Sequence, residues 1–239
     1  MSLKTATAPC ALVTGGTRGI GLTIAVTLAA AGYEVIVAAR NTVGLPAPLQ
    51  FMSLDITDAQ AVRQAIQSLP RLDLLVNNAG LAGANTPDDP DDALWADILA
   101  TNLTAAWVCS TAALKRLPDQ SGRIINIASV LGLSAVPDQP AYCAAKHGLI
   151  GLTRSMALHA AARGITVNAI CPGWVETEMS AQRFEELGIT REEAGAGIPI
   201  GRMSTPQEVA NLVVFLAGAG AASITGQALV VDGGSSVAA

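Results

Sequence analysis

The stretch Ala11-Leu12-Val13-Thr14-Gly15-Gly16-Thr17-Arg18-Gly19-Ile20-Gly21 decides the fold of this 239-residue chain. A short apolar run, Ala11–Thr14, reads as a strand, and a helical pattern, Gly19–Ala31, begins directly after a glycine turn. Glycines let the backbone bend sharply and approach a pyrophosphate, while the helix N-terminus offers free N–H groups and the positive end of its dipole. The spacing is G-x-x-x-G-x-G, not the G-x-G-x-x-G of the common dinucleotide fingerprint. No Gly-Lys-Ser/Thr follows, so it is not a P-loop. A glycine-rich turn alone is weak evidence; its position after the first strand of an alternating chain gives it force.

That alternation runs to the end of the chain. Apolar runs predict further strands at Glu34–Ala39, Gln50–Leu54, Leu72–Asn77, Gly122–Ala128, Thr166–Ile170 and Ala228–Val231. They alternate little in polarity, as parallel strands covered on both faces do. Helical periods fall at Ala59–Ser68, Asp91–Ala100, Thr104–Leu117, Tyr142–Arg163 and Pro206–Ala217. Such a β-α-β-α order implies right-handed crossovers and a doubly wound α/β sheet. No repeat, low-complexity tract or linker divides the chain, so residues 1–239 are expected to form a single domain. Three segments look irregular: Asn41–Pro48, Leu81–Pro90, and Trp174–Ser204, which is expected to be a mobile helical insertion over the site.

Composition narrows the function. Apolar residues are 51% of the chain and aromatics 3%, so the core must be aliphatic. A net charge of −5 and the absence of a basic cluster beyond Lys115-Arg116 argue against nucleic acid. No apolar run is long enough for a bilayer, and no signal peptide precedes the glycine turn; a cytoplasmic protein is expected. Cys10, Cys109, Cys143 and Cys171 lack metal spacing and read as small buried hydrophobes. No metal site is expected. The acidic run Asp88-Asp89-Pro90-Asp91-Asp92 reads as a complement to the dipole of the helix it precedes.

The second strand ends at Ala38-Ala39-Arg40, where an acid would hold a ribose 2′-hydroxyl. Ala39 supplies no carboxylate to repel a 2′-phosphate, and Arg18 and Arg40 supply two guanidinium forks. These residues point to NADP(H) rather than NAD(H). Tyr142 and Lys146, four apart in a helical segment, share one face. A free phenol, with a pKa near ~10, is a poor acid–base group at neutral pH. A neighbouring ammonium and a positive nicotinamide ring would both favour the phenolate. Ser129 closes the fifth strand at the edge where ligands bind in such sheets, and its hydroxyl could hold a substrate oxygen beside the tyrosine.

With these residues on the page, the chain resembles the short-chain dehydrogenase/reductases along nearly its whole length. The resemblance rests on Thr14-Gly15, Gly19-Ile20-Gly21, Asn77-Asn78-Ala79-Gly80, Asn102, Ser129, Tyr142 with Lys146, Pro172-Gly173 and Val231-Asp232-Gly233-Gly234. It implies a Rossmann fold with seven parallel strands in the order 3-2-1-4-5-6-7, and a homotetramer. It also implies that Tyr142 passes the proton, Lys146 lowers its pKa and holds the nicotinamide ribose, and Ser129 positions the carbonyl. Asn102 would sit in a kinked helix and hold a water leading from Lys146 to solvent. Around the cofactor, the resemblance implies Gly15, Thr17, Arg18, Gly19, Ile20, Gly21 and Arg40. It adds Asp55 and Ile56 at the adenine, Asn78, Ala79 and Gly80 along the adenosine ribose, and Pro172, Gly173, Val175 and Thr177 at the nicotinamide amide.

Between Arg40 and Asp55 the chain is shorter than in most of that family, which predicts a reduced or absent helix there. Lys146-His147-Gly148-Leu149, Pro172 through Thr177 and Pro199-Ile200-Gly201-Arg202 look most like ketoreductases acting on 3-oxoacyl thioesters or polyketides. A basic patch for an acyl-carrier protein is not visible in the sequence. Trp174, Met179, Phe184, Leu187 and Ile189, with Leu131, Leu133 and Val136, read either as core or as walls of an apolar substrate pocket. The expected activity is interconversion of a carbonyl and a secondary alcohol, chiefly NADPH-dependent reduction of an apolar ketone or 3-oxoacyl thioester. Two readings remain beside it: an NAD-dependent alcohol dehydrogenase running oxidatively, and a catalytically silent protein that senses NADP(H) or only assembles with partners.

Overall fold

The computed structural model describes residues 8–41 and 44–238. Seven strands make one parallel sheet: β1 (Cys10–Thr14), β2 (Glu34–Ala39), β3 (Gln50–Ser53), β4 (Leu74–Asn77), β5 (Arg123–Ile127), β6 (Thr166–Pro172) and β7 (Ala228–Val231). Their order is β3-β2-β1-β4-β5-β6-β7, as the resemblance implied. Side chains alternate across the sheet. Ala11 and Val13 of β1 meet Ile24 and Leu28 of α1 (Gly19–Ala30) and Val209 and Val213 of α8 (Pro206–Ala217). Leu12 faces the other layer, with Val62 and Ile66 of α2 (Ala59–Ser68), Val108 and Cys109 of α4 (Ala105–Leu114), and Met156 of α5 (Pro140–Ala160). All four cysteines are free and buried, as expected.

The differences from sequence reading have local causes. α5 begins at Pro140, two residues before the predicted start, because proline at the first helical position needs no N–H partner and presets φ. β6 runs two residues further, to Pro172, where Cys171 and Pro172 pair with Val230 and Val231 of β7. The two helices predicted either side of Asn102 are one rod: α3 (Asp92–Leu99) passes through a π turn (Ala100–Thr104) into α4. This is the kink implied for Asn102. Asp91 caps α3, its carboxylate accepting the Leu94 N–H at 2.9 Å, and Asp92 lies in the first turn, which accounts for two of the four acids read as a dipole complement. Among the described residues, no helix lies between β2 and β3. The insertion 174–204 carries α6 (Glu178–Leu187) and α7 (Arg191–Ala196). No described helix is long and apolar enough to cross a membrane, and no described cluster of His, Cys, Asp or Glu could hold a metal ion.

Candidate active site

The site lies where the strands end. Thr14 closes β1, and its hydroxyl accepts the N–H groups of Asn78 at 3.0 Å and Ala79 at 3.2 Å, just beyond β4. The Asn78 amide donates to the carbonyls of Thr14 (3.0 Å) and Gly15 (3.1 Å). Asn78 therefore braces the glycine turn from behind. Gly15 has φ +65°, and a Cβ there would stand 2.8 Å from the Ala79 Cα; glycine is required by both conformation and space.

Thr17 and Arg18 form the turn's outer arc. The α1 N-terminus has no side-chain cap and no acid in its first turn, so its leading N–H groups and positive dipole end remain available for a pyrophosphate. Ile20 and Gly21 follow in the first turn of α1. Thr177 comes within 3.6 Å of the point where a Cβ on Gly19 would stand, which closes the cleft from the other side. The residues present thus fit a dinucleotide. Arg40 is exposed at the end of β2, and its charge joins two Thr57 hydrogen bonds in holding the Asp55 carboxyl below its usual range. Ile56 is partly buried, packs against the apolar cluster that includes Leu54 and Val62, and lines a small cavity with Thr14 and Ala79.

Arg18 is committed elsewhere as well: its Nη1 lies 3.0 Å from the Glu178 carboxylate in the first turn of α6. Pro172 and Gly173 end β6, and Gly173 is pressed against Asp232, whose Cβ would be 2.8 Å from an added methyl. Val175 is buried and bridges Ser204. Thr177 caps α6 through the Ser180 N–H at 3.2 Å.

The four candidate catalytic residues converge beyond β5. Ser129 is buried, its hydroxyl accepts the Leu131 N–H at 3.1 Å, and it acts on the Tyr142 hydroxyl by lowering its pKa. Lys146 is only 4% exposed. Its Nζ donates to the Ile127 carbonyl at 2.8 Å and lies 5.4 Å from the centroid of the Tyr142 ring. The Asn102 side chain is clamped on Leu81, accepting its N–H and donating to its carbonyl, both at 2.7 Å. A Cβ on Gly80 would lie 3.4 Å from Asn102 Oδ1 and 3.9 Å from Lys146 Nζ, so these three positions share one corner.

The electrostatics differ from the simple sequence argument. Burial pushes the Tyr142 phenol up to about 12, the Ser129 hydrogen bond opposing that rise. Burial pulls Lys146 down to about 8. The ammonium is turned to the Ile127 carbonyl and stands over the ring, so in this arrangement it does not by itself offset the desolvation of a phenolate.

Sequence reasoning missed several groups. Behind the site, the Asn77 amide donates to Ser110 Oγ (2.9 Å) and Asn126 Oδ1 (2.7 Å), and Asn126 donates to Thr153 (2.8 Å). Asn77 Oδ1 has no partner among the described residues, and Asn77 lines a cavity of about 10 Å³ together with Thr14, Thr101 and Asn102. That is about the room one water needs. Arg183 of α6 bonds both Asp138, four residues before Tyr142, and Glu186, which ties the insertion to the catalytic helix. The pocket-wall residues divide. Trp174 and Phe184 meet in a tilted ring contact with centroids 4.9 Å apart and join Ile189, Ala194, Ile198 and Met203 in the insertion's own core. Met179, Leu187 and Leu133 remain more than 40% exposed.

Comparison with known proteins agrees with this geometry. The family described as Enoyl-(Acyl carrier protein) reductase matches residues 15–236. The chain is 40% identical to the 3-oxoacyl-(acyl-carrier-protein) reductase FabG of Escherichia coli (strain K12), across 94% of this chain and 96% of that protein. Among solved structures, it resembles a single-site variant of actinorhodin polyketide ketoreductase with NADPH, with a TM-score of 0.90 and 37% identity over 96% of this chain and 97% of the other. It also resembles the ligand-free aldohexose dehydrogenase of Thermoplasma acidophilum, with a TM-score of 0.91 and 32% identity over 97% and 95% of the two chains. With this sheet order, glycine turn and Ser-Tyr-Lys corner, and with relatives matched along nearly its whole length, the chain belongs to the short-chain dehydrogenase/reductase family.

Proposed function

We propose that this protein is an NADPH-dependent reductase of a 3-oxoacyl thioester or a related apolar ketone, with Tyr142 as the proton donor. The observation that carries the reading is the corner of Ser129, Tyr142 and Lys146, the Lys146 ammonium standing over the Tyr142 ring, beside an uncapped helix N-terminus. When bound, the reduced nicotinamide supplies a hydride to the carbonyl carbon. Ser129 and Tyr142 hold the carbonyl oxygen between their hydroxyls, and the phenol gives up its proton there as the alcohol forms. A phenol pushed up to about 12 remains fully protonated at neutral pH, the state that reduction requires. Lys146 holds the nicotinamide ribose and supplies positive charge beside the developing phenolate. Asn102, locked on Leu81 in the π turn, positions a water that leads protons back toward Lys146. Arg18 and Arg40 take the 2′-phosphate, and the backbone around Gly15, Gly19, Ile20 and Gly21 takes the pyrophosphate. Asn78, Ala79, Gly80, Asp55 and Ile56 border the adenosine half. Pro172, Gly173, Val175 and Thr177 border the nicotinamide half.

A cytoplasmic homotetramer is part of the same reading. Trp107 on α4 and Leu158 on α5 are 48% and 82% exposed, and Phe215 on α8 and Val230 on β7 are 51% and 41% exposed. Two separate apolar surfaces are what a tetramer with two kinds of dimer contact needs. Acetoacetyl-CoA, a soluble 3-oxoacyl thioester, tests the activity. The expected result is NADPH consumption matched one-to-one by the 3-hydroxyacyl product. Inertness toward this thioester and toward apolar ketones, with NAD-dependent oxidation of secondary alcohols instead, would overturn the proposal.

A further inference from the structure

A second cavity lies at the other end of the sheet. Arg123 is the first residue of β5, and Ser129 lies just past its last. Six residues at a rise of about 3.3 Å put the two about 20 Å apart. The cavity has a volume of about 280 Å³, and its lining among the described residues includes Tyr33, Asp73, Gln120, Ser121, Arg123 and Ala222. It is separate from every group considered above.

Arg123 stands there without a carboxylate acting on it among the described residues. The Asp73 carboxylate is saturated: one oxygen accepts Arg71 Nε at 2.6 Å and the Cys10 N–H at 2.7 Å, the other accepts Arg71 Nη2 at 3.0 Å. Arg71 and Asp73 form a bidentate pair, and the Glu34 charge also acts on Arg71. Arg123 is 4% exposed, donates Nη1 to the neighbouring Gly122 carbonyl at 2.9 Å, and has no partner for its buried Nε among the described residues. The carboxylate nearest in the cavity, Asp73, pairs with Arg71 instead. Burial lowers the Arg123 pKa, and only the nearby Tyr33 phenol works against this. A guanidinium does not deprotonate in proteins, so a counter-charge would offset the cost of burying this one. At the mouth, Gln120 holds φ +66°, a left-handed conformation unfavourable to a side chain of its size.

We propose that this cavity binds a small organic monocarboxylate through Arg123. No carboxylate acts on the Arg123 guanidinium among the described residues, so a monoanion fits it, whereas a dianionic phosphate would also face Asp73 and the Glu34 charge beyond Arg71. The planar guanidinium fork suits a carboxylate. Ala217, Ala222 and the Tyr33 ring give the ligand an apolar wall, and Gln120 and Ser121 offer hydrogen bonds at the open end.

Sodium butyrate is the probe, applied to the full chain in calorimetry against sodium chloride at equal ionic strength. A saturable rise in Tm is expected with butyrate and not with chloride, and it persists at saturating NADPH because the two sites are distinct. Arg123→Met is expected to raise the Tm of the protein without butyrate and abolish the response. Ala222→Phe fills the mouth from an exposed position, leaves Arg123 in place, and is also expected to abolish it. Three outcomes overturn the proposal: equal shifts with chloride and butyrate, a response to inorganic phosphate at lower concentration than butyrate, or a butyrate response that survives in Ala222→Phe. None bears on the reductase reading, which acetoacetyl-CoA tests separately.

Discussion

Arg18 in the cofactor turn and Glu178 at the start of α6 form an ion pair at 3.0 Å, joining the pyrophosphate turn to the insertion that covers the site. Both side chains are 75% exposed, so the pair itself contributes no more than about 1 kcal/mol. The same guanidinium is assigned to the 2′-phosphate, a stronger charge-assisted partner. Phosphate and Glu178 therefore compete for Arg18. Arg18→Ala is expected to weaken NADPH binding about tenfold, or about 1.4 kcal/mol, and to leave NADH binding nearly unchanged. Glu178→Gln is expected to tighten NADPH up to about fivefold at low salt, the equivalent of about 1 kcal/mol. Parallel fluorescence titrations with the two cofactors check both; weaker NADPH binding by Glu178→Gln would reject competition.

Tyr142→Phe removes one oxygen and keeps the ring beneath the Lys146 ammonium. Reduction of acetoacetyl-CoA should fall by about 10²–10⁴, the usual contribution of a positioned acid. NADPH affinity should fall by no more than about tenfold, since one lost hydroxyl hydrogen bond is worth about 0.5–1.5 kcal/mol. Steady-state rates with a parallel binding titration separate the two effects. Retained reduction would mean that another group supplies the proton.

Lys146 gives a pH prediction with a definite sign. Its pKa is about 8 when folded and 10.5 in the unfolded chain, because burial disfavours the ammonium. Between those values the unfolded chain binds more protons, so stability rises with pH; below about 8 the penalty is present in full. That penalty is at most about 3 kcal/mol. Lys146→Met removes it but leaves the Ile127 carbonyl unpaired, at a cost of about 1–3 kcal/mol. A net gain of about 1 kcal/mol is expected at pH 7, shrinking toward pH 9.5, together with loss of activity. Denaturant unfolding at the two pH values measures it, and a gain that grew with pH would contradict the burial argument.

What could be read in the sequence and what could not divide along physical lines. Period and glycine spacing are local, so all seven strands and the Gly15–Gly21 turn were legible from neighbours in the chain. The order of the strands, and the kink at Asn102, came from resemblance. Arg18 and Glu178 are 160 residues apart, and Arg183 and Asp138 are 45 apart; no local pattern announces such pairs. Trp174 and Phe184 have the spacing of either a core or a pocket wall, and only their tilted contact at 4.9 Å within one cluster decides for the insertion's core. The direction of the Tyr142 shift depends on how fully its surroundings exclude water, which Tyr-x-x-x-Lys spacing does not encode.

Gly21 tests whether the turn's tightness is structural. It sits in the first turn of α1 with ordinary helical φ, so its glycine is not demanded by conformation. It is demanded by space: a Cβ would lie 2.3 Å from Asn78 Nδ2 and 2.4 Å from the Gly15 carbonyl. Those are the two partners of the hydrogen bond that braces the glycine turn. Gly21→Ala must push them apart, and neither neighbour can yield freely, since Asn78 is also held by Thr14. Overpacking of this kind costs about 1–3 kcal/mol, more than the helix propensity that alanine gains over glycine, about 1 kcal/mol. The variant should therefore unfold at lower denaturant and lose NADPH affinity at least tenfold, because Gly15 and the N–H groups it aligns move together. Asn78→Ala in the same background removes one of the two clashes but leaves the Gly15 carbonyl in place and the turn unbraced, so it should restore neither stability nor cofactor binding. If Gly21→Ala instead raised stability, the contact between α1 and Asn78 would have to be looser than 2.3 Å implies.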